Sequence, residues 1–299
     1  MAKFVVLGAG FGGKFFANWT GSPCLSRSNG FDLNSNLDGV LREIKAFHAT
    51  HIFNFAAQSM VGESWLAPGD WMQTNAVAQT LLVQELAKLD FIERYFHFTT
   101  PEVYGSTSGW VTENWKFSPS TPYACSRAAG DWITKLWHDQ YGFPAIFTRA
   151  ANIYGEGQQL YRVIPKAVLF GLTGRKLPLH GGGKSLRSFV HMDDVCRALQ
   201  LLVKRGVPGE CYHVAPRTSV SIKELVECIE GLLQVDNLAE VSDDRPGKDQ
   251  AYLLNSEKIC DLGWVPRVEL QEGLQRVIDW IKGDLPALSK ENTSYVHSA

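Results

Sequence analysis

Short apolar runs alternate with stretches of helical period through the first half of the chain. Val5–Leu7, Ile52–Phe55, Tyr95–Phe98 and Ala145–Thr148 are near-continuous apolar runs and read as strands buried on both faces. Between them the spacing predicts helices from about Leu37 to Phe47, Trp71 to Leu89 and Pro122 to Tyr141. That alternation is the signature of βαβ units, and hence of a parallel sheet. Glycine and proline then punctuate the chain from Gly155 to Gly183, which predicts loops around a few short elements. Further strands are expected over Leu186–His191 and Glu210–Val214, with a helix from Met192 to about Lys204 between them. Another helix is expected to run to Leu233, capped by Ser221 with Glu224 three residues on.

The expected architecture is α/β, a Rossmann-type doubly wound parallel sheet with a smaller C-terminal substrate-binding lobe. Residues 1–155 with about 186–214 form the first unit, and residues 156–185 with 215–284 form the lobe. Residues 285–299 are polar and unpatterned, and are expected as a flexible tail.

The first strand–helix junction carries Gly8-Ala9-Gly10-Phe11-Gly12-Gly13. Glycines at such a junction allow a tight turn, a close approach of backbone to a pyrophosphate, and close strand–helix packing. The helix N-terminus adds free N–H groups for the anion. Gly8, Gly10, Phe11 and Gly13 are therefore candidate dinucleotide contacts. The acid that usually holds the ribose about twenty residues on is absent from Pro23-Cys24-Leu25-Ser26-Arg27. Ser26 and Arg27 suit a 2′-phosphate instead, which favours NADP over NAD. Asp32, in the following loop, is placed near the adenine.

Thr99-Thr100-Pro101-Glu102-Val103-Tyr104-Gly105 closes the third long apolar run, so Thr100 and Glu102 fall at the carboxyl end of a strand, where open parallel sheets place their ligands. In Pro122-Tyr123-Ala124-Cys125-Ser126-Arg127 a phenol and a permanent cation lie four residues apart on one helix face. Hydroxyl, carboxylate, phenol and cation together can move protons beside a hydride acceptor. Gly181-Gly182-Gly183-Lys184-Ser185 lacks the spacing of a phosphate-binding P-loop.

Charge and cysteine usage narrow the class. The 299 residues are 45% hydrophobic with a net charge of −2, so no basic field recruits nucleic acid or an anionic membrane. Membrane-spanning length is not reached by any apolar stretch. Six cysteines without C-x-x-C spacing read as reduced thiols of a cytoplasmic protein, and no metal-ligand constellation is expected.

These motifs resemble extended short-chain dehydrogenase/reductases that act on nucleotide-diphosphate sugars, most closely the 4,6-dehydratases. The resemblance rests on Ala56-Ala57-Gln58-Ser59, Thr100-Pro101-Glu102-Val103-Tyr104-Gly105, Asn152-Ile153-Tyr154-Gly155, Arg187-Ser188-Phe189-Val190-His191, Arg245-Pro246-Gly247-Lys248-Asp249 and Leu262-Gly263-Trp264 with its following amphipathic helix. It departs from the family at two places. Tyr-x-x-x-Lys is Tyr123-x-x-x-Arg127 here, and the Thr-Asp-Glu of dTDP-glucose dehydratases is Thr100-Pro101-Glu102.

The resemblance implies oxidation at C4 of the sugar with Tyr123 as base, Thr100 on the same oxygen and Arg127 beside the phenol. Glu102 then takes the C5 proton and protonates the leaving C6 hydroxyl, before hydride returns to C6. It further implies that Asn152, Arg187 and Arg245 hold the diphosphate, and that Gln158, Leu160 and Tyr161 line a nucleobase pocket. Ser59 and Asn75 fall near the junction of nicotinamide and sugar, and Ala56 and Asn75 are candidate cofactor contacts. A homodimer pairing the helices at Trp71–Leu89 and Pro122–Tyr141 is also implied. The alternatives are an NDP-sugar 4-epimerase, a UDP-glucuronate decarboxylase, and, from another class, a non-catalytic NADP-binding sensor or scaffold.

Overall fold

In the computed structural model, residues 2–243 and 251–297 are described. The first half runs β1 (Phe4–Leu7), α1 (Phe11–Thr20), β2 (Cys24–Leu25), α2 (Leu37–Phe47), β3 (His51–Asn54), α3 (Pro68–Met72), α4 (Gln79–Leu86), β4 (Arg94–Thr99), β5 (Trp110–Val111), α5 (Pro122–Tyr141) and β6 (Ala145–Ala150). The second half adds β7 (Asn152–Tyr154), α6 (Val163–Thr173), β8 (Leu177–His180), β9 (Leu186–Arg187), β10 (Phe189–His191), α7 (Met192–Arg205), β11 (Cys211–Val214), β12 (Val220–Ser221), α8 (Ile222–Leu233), β13 (Ala239–Ser242), β14 (Leu253–Leu254), α9 (Glu257–Asp261), α10 (Leu270–Gly283) and α11 (Leu285–Leu288).

Six strands form one parallel sheet in the order β11-β6-β4-β3-β1-β2. The order reverses at β1, so a crevice opens above the carboxyl ends of β1 and β3. Alternate residues of each strand feed opposite faces. Val6, Phe53, Phe96 and Ile146 pack with α7 on one face, while Val5, Ile52, Tyr95 and Phe147 pack with α2 and α4 on the other. A third core joins α6, α8 and α10 through Ile164, Val168, Leu225, Ile229, Leu274 and Val277. The parallel sheet with helices on both faces is the one that the alternating pattern predicted.

Local chemistry explains the element ends. Thr121 caps α5 by accepting from Ala124 N at 3.1 Å, Pro122 occupies its first turn, and Gly142 closes it in the left-handed region. The Ser221–Glu224 capping box forms as expected at α8.

Three expectations are revised. The helix expected as a single rod over 71–89 is α3, a π-helical stretch Gln73–Ala78, and α4. The π stretch lies where the backbone approaches α5: a Cβ at Gly130 would stand 2.4 Å from Asn75 O. The strand expected over 186–191 is two short strands with different partners, β9 on β12 and β10 on β7. The residues after Leu285, expected as a structureless tail, begin with α11 and return to the body of the protein. Leu288 and Thr293 are buried, and Tyr295 bonds Gln58. These anchors, one apolar and two polar, follow no helical or strand period along the segment.

Candidate active site

A cavity of about 880 Å³ runs from the glycine turn to the inner face of the lobe. Gly8, Gly10, Phe11 and Gly13 line one end. Each glycine has its own reason. Gly8 has φ +90, and a Cβ there would stand 2.7 Å from the Ala56 backbone. A Cβ on Gly13 would meet Gly8 O at 1.9 Å, so α1 could not start so close to β1. Gly10 has an ordinary φ of −63, and apart from its two chain neighbours no atom of the described residues lies within 4 Å of where its Cβ would be. Neither conformation nor packing demands glycine at that position. It borders the cavity at the N-terminus of α1, where no side chain caps the helix, so the open space suits the pyrophosphate of a dinucleotide.

Ser26, Arg27 and Asp32 line the same end, and Ala56 lines the adjoining wall. Asp32 spends one carboxylate oxygen on Asn34 N at 2.8 Å. This end of the cavity therefore carries both a cation and a carboxylate.

The ends of β4 and α5 bring the proposed chemistry together. Thr100, Glu102, Tyr123 and Arg127 all border the cavity. Thr100 caps the turn Pro101–Tyr104, its Oγ1 accepting from Glu102 N at 3.2 Å, which sets the direction of the glutamate. Burial raises the Tyr123 phenol above its ordinary range, and the strongest influence pulling it back is the Arg127 charge. A Thr100 hydrogen bond also lowers it, and Glu102 works the other way. The i,i+4 spacing read from sequence thus brings phenol and cation together. Arg127 also donates from Nη2 to the Phe98 carbonyl, while its buried Nε has no partner among the described residues.

The opposite wall is assembled by strand pairing. Asn152 lies opposite Phe189 in the β7–β10 pair, and its Nδ2 donates to Ser188 O at 3.2 Å. Its Oδ1 accepts from Tyr252 Oη at 3.1 Å, and the Arg187 guanidinium lies 4.2 Å from the Tyr252 ring centre. Ser59 accepts from Arg162 at 2.9 Å, and Tyr161 lines the cavity beside it. Asn152, Arg187, Ser59 and Tyr161 are therefore gathered as expected, and Gln158 joins them.

Two candidates are turned elsewhere. Asn75 is buried behind the cavity wall, where it bonds both the N–H and the carbonyl of Gln58 at 2.9 Å and Ser126 Oγ at 2.9 Å. The π stretch aims its amide at backbone rather than at a ligand. Leu160 packs into the lobe core because the loop after Tyr154 turns its apolar side chain inward. Arg245 lies outside the described residues.

Sequence reasoning missed the groups behind the Thr100–Tyr104 turn. Arg149 on β6 donates to Asp131 Oδ2 on α5 at 2.8 Å and to Tyr104 Oη at 2.8 Å. His97 Nε2 stands 3.1 Å from Asp131 Oδ1. Burial opposes ionisation of Asp131, but Arg149 and His97 outweigh it and hold the carboxyl down at about 2. Tyr104 Oη meets His213 Nε2 at 2.9 Å, while His213 Nδ1 faces Asn255 O at 3.0 Å. A carbonyl only accepts, so Nδ1 carries the proton, and burial with the Arg149 charge keeps the imidazole neutral, its pKa at about 3. His97 inside one apolar run and Arg149 at the end of another were the sequence signals for this network. Tyr252, Arg162 and Tyr295 also border the cavity, and no local pattern marked them.

The sequence model described as GDP-mannose 4,6 dehydratase matches residues 31–277. The chain belongs to that family. The dTDP-glucose 4,6-dehydratase of Escherichia coli is 32% identical over 261 residues, covering 77% of this chain and 72% of that protein. A trifunctional UDP-glucose 4,6-dehydratase of Arabidopsis thaliana is 31% identical over 235 residues, 77% of this chain and 35% of the longer protein. Among solved structures, the dTDP-glucose 4,6-dehydratase of Streptomyces venezuelae with NAD and TYD bound superposes with a TM-score of 0.87. It is 30% identical, with 95% of this chain and 98% of that one covered. The Bacillus anthracis dTDP-glucose 4,6-dehydratase in complex with NAD gives 0.86 at 27% identity, covering 96% and 98%. This GDP-mannose 4,6-dehydratase family member shares the Rossmann-type fold of both, and among its described residues no helix is long and apolar enough to cross a membrane.

Proposed function

We propose that the cavity takes NAD(P) and a nucleotide-diphosphate sugar, and that Thr100, Glu102, Tyr123 and Arg127 act on the sugar there. The chain is a nucleotide-sugar 4,6-dehydratase of the extended short-chain dehydrogenase/reductase family. Its net reaction removes water and leaves a 4-keto-6-deoxy sugar. The observation that carries the residue assignment is the meeting of the glycine turn and the Thr100–Glu102–Tyr123–Arg127 group on one cavity.

Bound nicotinamide supplies a hydride acceptor at C4 and later a donor at C6, so no net redox occurs. Tyr123 Oη takes the C4 hydroxyl proton, and Thr100 Oγ1 holds the same oxygen. Burial makes the phenol a reluctant base, and Arg127 is the group that offsets this. Once C4 is a ketone the C5 proton is acidic. Glu102, the acid of the strand-end turn, removes it and delivers a proton to the departing C6 oxygen, so the water formed carries C6–OH and the C5 proton. When hydride returns to C6, C5 takes up one proton, which balances the one Tyr123 took from O4. Pro101 has no proton to give, which leaves both transfers to Glu102. Asn152 and Arg187 hold the diphosphate, with Tyr161 and Ser59 nearer the nucleoside and the sugar junction.

Ser26 and Arg27 beside the ribose end support NADP over NAD, with Asp32 as the competing influence. Exposed Met72, Val77 and Leu81 on the α3–α4 rod and Trp132 and Leu136 on α5 support a homodimer through these helices. The cysteines are all free, which supports a reducing compartment such as the cytoplasm.

Incubation with a panel of nucleotide sugars tests the function by mass. Loss of water from at least one of them is expected. Loss of carbon dioxide would replace the reading with a decarboxylase, and inversion at C4 without mass change with an epimerase. Cofactor binding without any turnover would leave a sensor or scaffold.

A further inference from the structure

Residues 289–297 pass from the lobe back to the dinucleotide-binding side of the molecule. Leu288 sits in the lobe core beside α10, and Arg175 on the lobe reaches Thr293 Oγ1 at 3.5 Å. Beyond that point the contacts change sides. Tyr295 Oη lies 3.3 Å from Gln58 Oε1, in the loop after β3. His297 stacks on Trp71 of α3 with ring centres 4.8 Å apart, and its Nε2 lies 2.6 Å from Asp70 Oδ2.

Between these anchors the Tyr295 ring forms part of the cavity wall. It meets Tyr161 edge-on, with centroids 5.4 Å apart and planes at 78°. Its Gln58 anchor lies two residues beyond Ala56, on the wall that adjoins the ribose end, and Tyr161 lies on the lobe wall, so Tyr295 stands between the two. Both far anchors, Gln58 and the Asp70–Trp71 pair, belong to the sheet-bearing unit. A segment fixed at both ends across a cavity mouth, with an aromatic ring facing inward, covers what lies beneath it.

We propose that residues 289–297 are a strap over the cofactor end of the cavity, and that Tyr295 is a cofactor-binding residue that slows release of NAD(P). The inference rests on reading this cavity as the NAD(P) site. A dehydratase returns its hydride within each turnover, so its cofactor has no need to leave, whereas the sugar nucleotide must exchange every cycle. A strap anchored on the dinucleotide-binding side meets both requirements.

The test uses the full chain, a form lacking residues 292–299, Tyr295→Ala and Tyr295→Phe. Release of NAD(P)H is followed by its fluorescence after dilution, without sugar, and the KM for the sugar nucleotide is measured separately. Deletion and Tyr295→Ala are expected to speed cofactor release about tenfold, the scale of one aromatic contact, with KM changed much less. Tyr295→Phe, which keeps the ring and loses the Gln58 bond, is expected to retain most of the effect. Release within about twofold of the full chain in both the deletion and Tyr295→Ala overturns the proposal, as does a rise in KM with release unchanged. If the deletion does not fold, Tyr295→Ala decides alone. A full chain that binds cofactor tightly but dehydrates no sugar would sink the dehydratase reading and leave the strap standing. One that binds no NAD(P) would sink both.

Discussion

Arg149 and Asp131 face each other at 2.8 Å in a space closed to solvent, and the pair ties β6 to the helix that carries Tyr123 and Arg127. The same guanidinium holds Tyr104, in the turn that carries Glu102. One buried cation thus ties the Glu102 turn to the Tyr123–Arg127 helix through β6.

Asp131→Asn leaves that cation buried without its counter-charge, and is expected to cost about 3–5 kcal/mol in denaturant unfolding. The wild type should show a matching acid transition. Because the folded carboxyl titrates at about 2 and its ordinary value is 3.8, the stabilisation is fully present above pH 4. It is lost as pH falls from there toward 2, by about 2 kcal/mol. Unfolding free energy measured between pH 6 and 2 checks this; an Asp131→Asn variant with the same acid slope as wild type would refute it.

Tyr123 and Glu102 are expected to fail at different stages. Tyr123→Phe should abolish the absorbance of reduced nicotinamide during turnover. Glu102→Gln should still form reduced cofactor and the 4-keto sugar but stall before water loss, with elimination slowed about 100- to 10,000-fold. Deuterium exchange at C5 should vanish in the same variant. An elimination rate within about threefold of wild type would remove Glu102 from its role.

Arg127→Lys tests the departure from the family's lysine. A lysine keeps the charge that lowers the Tyr123 phenol but loses the forked reach to the Phe98 carbonyl. The expected outcome is retention of most activity, with the alkaline limb of kcat moved rather than the rate abolished. Complete loss with cofactor binding intact would mean that the pocket is built around the guanidinium.

Gly10 and Gly13 should separate binding from folding. Gly13→Ala forces a Cβ onto Gly8 O and should lower the melting temperature and cofactor affinity together. Gly10→Ala meets no atom of the described residues beyond its chain neighbours and has an ordinary φ, so its stability should stay within about 0.5 kcal/mol of wild type. Cofactor affinity alone should fall. Unchanged affinity in Gly10→Ala would move the pyrophosphate away from this turn.

Strand alternation, the glycine turn and the Tyr123–Arg127 spacing are local, so they were legible in the sequence. A two- or four-residue offset fixes which side chains share a face before any long-range contact exists. The capping pair Ser221–Glu224 was legible for the same reason. Asn75 and Leu160 were misplaced because sequence position near a site does not say which way a side chain turns. A π stretch packed against Gly130 decided the first, and the lobe core decided the second. Tyr252 and Tyr295 reach the cavity from 100 residues or more beyond Asn152 and Gln58, the groups they bond. The Arg149 network joins three strands and a helix, and no periodicity along one segment encodes such a meeting. The sequence by itself determined the elements, the sheet and the chemical groups at its edge. Tertiary structure decided which of those groups face the cavity, because facing depends on packing between segments that only the folded chain brings together.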